Sequence, residues 1–376
     1  MGKQIMLVVG EASGDVHGAH LVEALRQRDA TVKFFGVAGE QLQRAEFDTL
    51  FNVAQLTGMG LIELTGNLGN IWRAFRLLKR AIRERRPNLL ILIDFPEFNL
   101  RLARLAKSLG IPVLYYISPQ IWAWRRGRVK QIARWVDHVA VVFPFEAEFY
   151  ARHGVEVTFV GHPLLETVHA NQSREMVFTN IGLDPAKPAI ALLPGSRRGE
   201  VDFHLPVMCK AAAQLSRARG VQFFCVRAST IDRGKVETAL QRVALRIPIV
   251  AENRYQALHA ADLVWTASGT ATLETALLGT PMIVVYRMSR LTYWIARWLV
   301  RVEHIGMVNL IAGERVVPEL IQDDFNPTRL VAETESLLDN PERRSGIVEK
   351  LAKLRERLGS PGAAGRVADI ALAMMA

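Results

Sequence analysis

Residues 263–286, LVWTASGTATLETALLGTPMIVVY, decide the fold. An apolar run through Trp265 reads as a buried strand, Ser268, Gly269 and Thr270 make a hydroxyl-bearing turn, and helix formers follow to Leu278. Gly279 and Pro281 stop that helix before a second strand starts at Met282. Such a unit is a parallel crossover whose helix N-terminus lies at the carboxyl edge of a sheet, where unpaired N–H groups can hold an anion. The turn is a candidate phosphate cradle. Glu274 comes one helical turn after Thr270 and shares its face. It reads either as a partner of the helix dipole or as an acceptor for the two hydroxyls of a ribose. A capping box fails, because with Ser268 or Thr270 as cap the third position is Ala271 or Leu273. A carboxylate beside a diphosphate is electrostatically awkward unless it accepts bonds from neutral hydroxyls.

Working outward, strands are expected at 188–193, 221–226 and 247–250, alternating with helices, so 263–286 sits in a repeated α/β plan. The strand at 188–193 runs into Pro194, Gly195, Ser196 and Arg197, where small residues let backbone approach an anion and an arginine supplies a fork of donors. Loop signals from Leu164 to Lys187 mark an interdomain connection. The first half repeats the plan, with strands at 4–9, 32–37, 89–93, 112–117, 139–143 and 155–160. After the first strand come Gly10, Glu11, Ala12, Ser13, Gly14 and Asp15, which fit neither GxGxxG nor a P-loop. Ser13 or Asp15 could be a plain helix cap; Glu11 and Gly14 are site candidates by position. The strand at 89–93 ends in Asp94, where open α/β sheets place reacting groups, and Asp94 could deprotonate a substrate hydroxyl. Its plainer role is an N-cap for the helix that follows, and Glu97 competes for the base role. His162, in a Gly-His-Pro turn, reads as a structural loop residue.

The chain has 376 residues, more than one core usually organises, so two domains are expected. Cys209 and Cys225 form no CxxC, which argues against a disulfide framework or zinc site, and no DxD metal motif occurs. The longest apolar runs fall far short of the roughly 20 residues that span a bilayer. The N-terminus meets Glu11 and Asp15 after one short strand, unlike a signal peptide. The net charge of +10 is uneven: segments 73–86, 125–134 and 287–301 together carry +15 and the rest −5. Nucleic acid, anionic lipid or a phosphorylated substrate would suit such a surface. Leu68, Ile71, Trp72, Phe75, Leu78 and Ile82 fall on one helical stripe opposite arginines, as do Trp294 and Trp298 in a second basic amphipathic helix. Each is either a docked helix or an apolar ledge for acyl chains and a membrane interface. Trp122 and Trp124 beside Arg125 suit an interface or a stacked base, yet no zinc-finger, helix-turn-helix or RRM pattern supports nucleic acid.

Six motifs in order, residues 10–15, 94–99, 118–124, 161–163, 194–197 and 268–274, make the chain resemble the lipid-A-disaccharide synthases, glycosyltransferases of GT-B architecture. The resemblance implies an α/β fold of two Rossmann-like doubly wound domains with an interdomain cleft. It places an acceptor and membrane-facing domain at 1–168, a UDP-sugar domain at 169–345 and C-terminal helices at 346–376 that pack back on an N-terminal domain. It implies condensation of UDP-2,3-diacylglucosamine with 2,3-diacylglucosamine 1-phosphate, with inversion, release of UDP and no metal or other cofactor. It also implies peripheral attachment to the cytoplasmic face of the inner membrane, no nucleic-acid partner, and homodimers that exchange C-terminal segments. Carried onto this chain, Asp94 and Arg197 are catalytic. Gly195, Ser196, Arg197, Ser268, Gly269, Thr270, Glu274 and Asn309 bind donor, and Glu11, Ser13, Gly14, Asn99 and Gln120 bind acceptor. The family's Asp-Phe-Asn core has Glu97 before Phe98 here. A UDP-sugar epimerase, a non-catalytic lipid-binding protein and an RNA-binding protein are the rival readings.

Overall fold

Two parallel sheets form among the described residues of the computed structural model, which are 2–56, 68–119, 121, 126–290, 292–294 and 304–376. They belong to two units, Met1–Pro163 with Leu358–Ala376, and Leu164–Arg357.

In the first unit the strands are β1 (Gln4–Val9), β2 (Lys33–Ala38), β3 (Asp48–Asn52), β4 (Leu89–Ile93), β5 (Val113–Tyr116), β6 (His138–Val141) and β7 (Val157–Phe159). Their order is β3-β2-β1-β4-β5-β6-β7, every pair parallel. β4 reads LLILI and is buried along its whole length, the pattern of a strand covered on both faces. Chain order reverses between β1 and β4, whose pairing of Val9 with Ile93 sets their carboxyl ends level. Gly10 and Asp94 thus leave the sheet side by side at its switch point, where open α/β sheets bind ligands.

In the second unit β8 (Ala189–Leu193), β9 (Gln222–Val226), β10 (Ile249–Val250), β11 (Leu263–Ala267), β12 (Met282–Tyr286) and β13 (Glu319–Ile321) are ordered β10-β9-β8-β11-β12-β13, again parallel. The switch point lies between β8 and β11, where Leu193 pairs with Thr266. Trp265 on β11 is fully buried, and its indole N–H donates to Thr334 Oγ1 at 3.0 Å. The chain therefore has two doubly wound α/β units, as the alternation of strands and helices predicts.

The unit boundaries differ from the expected ones at 168 and 346. The first unit stops at Pro163, and the C-terminal helices divide. Helix Pro341–Arg357 stays with the second unit, with Leu351 and Leu354 buried and Arg355 and Arg357 donating to the carbonyls of Leu277 and Ala312. Helix Ala363–Ala373 joins the first unit on helix Ala12–Arg28, tied by Arg28 to Asp369 at 2.5 Å. Arg366 closes this return by donating to the carbonyls of Val160, Ser360 and Pro361. The short strands β3 and β13 were not expected, because neither carries a continuous apolar run.

Cys209 and Cys225 are free and buried, and burial pushes both thiols up to about 12. Burial also lowers the imidazoles of His17, to about 4, and His162, to about 3, with His20 and His17 respectively adding repulsion. Both are neutral in the folded chain at pH 7, and unfolding returns them to their ordinary value near 6.5. The unfolded chain therefore takes up protons first as pH falls. Their contribution to stability is complete above about 6.5 and is lost as pH drops toward 4 and then 3. The slope is about 1.4 kcal/mol per pH unit for each histidine. Urea unfolding at pH 7.5, 6 and 5 should show a falling midpoint, and His162→Asn should flatten the trend.

Candidate active site

In the first unit, the apolar run of β4 ends in two successive residues of left-handed conformation, Asp94 at φ 53° and Phe95 at φ 50°. Each costs on the order of 1 kcal/mol or more, so neighbours must hold the turn. Asn99 Nδ2 donates to the Asp94 carbonyl at 2.7 Å and to that of Ile93 at 3.2 Å, and the Tyr115 hydroxyl donates to the Asp94 carbonyl at 2.5 Å. The Phe95 ring stacks on Phe98 at 5.4 Å, and Phe98 meets Phe75 edge-on at 5.9 Å. From β1, Gly10 presses against the same turn: a Cβ there would lie 2.1 Å from Phe95 Cβ. The N-cap of helix Pro96–Ser108 is Phe95, so the plain capping role does not fall to Asp94. Glu97, the competing carboxylate, forms an ion pair with Arg128.

The expected acceptor residues separate. Glu11 and Ser13 are exposed at the start of helix Ala12–Arg28, beside Gly10. Gly14 is buried where helix meets sheet, and a Cβ there would lie 3.4 Å from Ile93 and 3.5 Å from Val9. Asn99 is fully buried, and its Nδ2 serves the turn. Asp15 caps not its own helix but the amides of Gly39, Gln41 and Leu42. Gln120, Trp122, Trp124 and Trp298 lie outside the described residues, as does the side chain of Leu68.

Helix Leu68–Arg85 buries Ala74, Leu78, Ala81 and Ile82. The expected stripe is therefore centred one position off, with Ile71 and Phe75 half-buried at its flank and Trp72 turned out at 61% exposure. The Arg76 guanidinium covers the Trp72 ring at 4.3 Å. Trp294 is 73% exposed. No described helix is long and apolar enough to cross a membrane.

In the second unit, both predicted loops leave neighbouring strand ends at the switch point. After β8, Gly195 takes φ 126°, and a Cβ on it would lie 2.6 Å from Glu200 Oε2. That carboxylate oxygen accepts from the amides of Ser196 and Arg197 at 3.1 and 3.2 Å. The loop thus already holds an anionic oxygen, its own. Arg197 is the N-cap of helix Arg198–Arg219, and its guanidinium is largely exposed, 3.7 Å from Glu200. After β11, the Ser268 amide bonds to the Val285 carbonyl and its hydroxyl to that of Ile305, so Ser268 anchors the turn. Gly269 follows at φ 146° as the N-cap of helix Thr270–Leu277. The N–H groups of Gly269 and Thr270 have no partner among the described residues, which leaves them for a ligand.

Glu274 is buried, and its Oε1 accepts from Arg254 Nη2 at 2.7 Å and the Tyr255 hydroxyl at 3.0 Å. Burial and then the Glu274 charge raise the Tyr255 phenol above its ordinary value, so it stays a donor. Neither Arg254 nor Tyr255 was expected at the site, because nothing local marks residues 20 and 19 positions before Glu274. Asn309, expected as a donor contact, is bonded within its own loop. It is fully buried, its Nδ2 donates to the Val317 carbonyl and Glu319, and its Oδ1 accepts from the amides of Val316 and Val317. The four bonds of its side-chain amide all go to folding residues 309–319. A cavity of about 580 Å³ opens on the β13 edge, lined by His304, Arg315, Glu319 and Arg329, two strands from the switch point.

Residues 5–366 match the family model described as lipid-A-disaccharide synthetase. The chain belongs to the lipid-A-disaccharide synthase family. Relatives of that name from Syntrophus aciditrophicus and Geobacter metallireducens are 47% and 45% identical, each alignment covering 99% of this chain and 98% or 97% of the relative. Among solved structures, the glycotransferase of kitacinnamycin aligns with TM-score 0.68 at 14% identity, covering all of both chains. A UDP-GlcNAc 2-epimerase from Neisseria meningitidis aligns with TM-score 0.66 at 13% identity, covering 98% of this chain and all of that one. These two likenesses concern the fold, which is GT-B; family membership carries the activity, a glycosyltransferase of lipid A biosynthesis.

Proposed function

We propose that this synthase joins UDP-2,3-diacylglucosamine to 2,3-diacylglucosamine 1-phosphate by in-line displacement with inversion at the anomeric carbon. The acceptor's 6-hydroxyl oxygen forms the new bond to that carbon while the bond to UDP breaks. Asp94 takes the hydroxyl proton, and the electron pair leaves with UDP. Arg197 and the N–H groups of Gly269 and Thr270 stabilise the departing diphosphate, and Glu274 accepts from the ribose. The observation that carries this reading is the meeting of the Arg197 loop and the 268–270 turn at one switch point, on adjacent strand ends. Glu97 is a weaker candidate for the base because Arg128 holds its carboxylate. Glu11 and Ser13 remain proposed acceptor contacts, exposed beside Gly10. The anomeric proton coupling of the purified product tests the stereochemistry: a β-1,6 linkage from the α-linked donor supports inversion, and an α linkage contradicts it.

The enzyme is further proposed to work at the cytoplasmic face of the inner membrane without spanning it. Trp72 under Arg76 and the exposed Trp294 support that attachment, the first offering an aromatic ring beside a cation and the second an aromatic ring open to its surroundings. Trp72→Ala with Trp294→Ala should lower recovery on anionic vesicles several-fold, and unchanged recovery would contradict the attachment.

A further inference from the structure

A carboxylate placed to accept from a ribose stands close to where the diphosphate must sit, and its charge would repel that group. The structure holds a remedy that no local motif signals. Arg254 opens helix Arg254–Ala260 directly after Asn253, a left-handed residue at φ 50°, and its Nη2 reaches Glu274 Oε1 at 2.7 Å. The guanidinium also covers the Tyr255 ring at 4.8 Å and donates to its hydroxyl at 2.9 Å, so two contacts besides the ion pair fix its position. Only Nη2 is engaged: Nε and Nη1 have no partner among the described residues, and the side chain is 43% exposed. Glu274 is one helical turn beyond the open N–H groups of Gly269 and Thr270. Arg254 and Tyr255 both use Oε1, leaving Oε2 without a partner among the described residues.

We infer that Arg254 is a positioning residue of the nucleotide site, neutralising Glu274 so that one carboxylate can serve a ribose without repelling the diphosphate beside it. The inference rests on the proposed nucleotide role of the second unit. It separates two parts of one ligand: the nucleoside needs the carboxylate oxygen, whereas the diphosphate needs the carboxylate's charge cancelled. An arginine acting only as a scaffold for Glu274 would affect both parts alike.

The test is titration of the full chain with UDP and with uridine, which carries no phosphate. Arg254→Ala is expected to weaken UDP binding about tenfold, the effect of one uncompensated charge facing a doubly charged group at roughly 8 Å in a largely solvated site. Uridine affinity should change less than about twofold, and Arg254→Lys should restore most of the UDP affinity because it returns the charge. Equal losses for UDP and uridine would reduce Arg254 to a scaffold and overturn the inference. So would UDP binding unchanged in Arg254→Ala. A wild-type chain that binds neither ligand would instead overturn the nucleotide reading, and the inference with it.

Discussion

Asp94→Asn should lower kcat by about 10³-fold while leaving donor affinity within about twofold, since general base catalysis typically contributes 10²–10⁴-fold. The substitution suits the local backbone. Asparagine, like aspartate, tolerates the left-handed φ of 53° at this position, whereas alanine would add strain to a lost carboxylate. The contacts that hold the turn, from Asn99 and Tyr115, go to the Asp94 main-chain carbonyl and survive the change. A loss of rate can then be assigned to the missing proton acceptor. Steady-state kinetics with both acylated substrates, together with a donor titration, makes the comparison. Retention of more than about a tenth of wild-type kcat would transfer the base role elsewhere, and Glu97→Gln would be the next variant.

Gly10→Ala should cost at least about 10²-fold in rate, although residue 10 need touch no substrate. Its Cβ would stand 2.1 Å from Phe95 Cβ and 3.2 Å from Phe95 Cα, so the Asp94 turn must yield. Overpacking of this kind costs about 1–3 kcal/mol of stability, and a displacement near 1 Å at a reacting group can cost 10²-fold in rate. The loss should appear in kcat, with UDP affinity preserved, because the proposed nucleotide loops belong to the other unit. A thermal melt separates misplacement from unfolding. A folded Gly10→Ala protein with wild-type kcat would show that the turn's position does not matter to the reaction.

Much of the fold can be read along the chain because its signals are local. Continuous apolar runs such as 89–93 become doubly covered strands, and Asn326 caps the helix that starts at Pro327 through a bond to the Arg329 amide at 3.0 Å. The turns after β8 and β11 are legible for the same reason: a glycine between an apolar run and helix formers marks the change of direction. What stays hidden depends on distant partners. Nothing in the sequence next to Asn309 announces the bonds of its amide to Val316, Val317 and Glu319. Glu200 is a plain first-turn acid in sequence, yet it occupies the amides of the Ser196–Arg197 loop. The successive left-handed residues 94 and 95 have no signature either, since a tertiary clamp rather than a glycine sustains them. Periodicity gives the stripe of helix Leu68–Arg85 but not its centre, which Ala74 and Leu78 share in the core.

UDP release from UDP-2,3-diacylglucosamine, followed with and without 2,3-diacylglucosamine 1-phosphate, tests the central claim most directly. The account predicts release that depends on the acceptor, matches disaccharide formed mole for mole, and disappears in Asp94→Asn. Release at the same rate without acceptor, or consumption of donor to an epimer with no disaccharide, would contradict it.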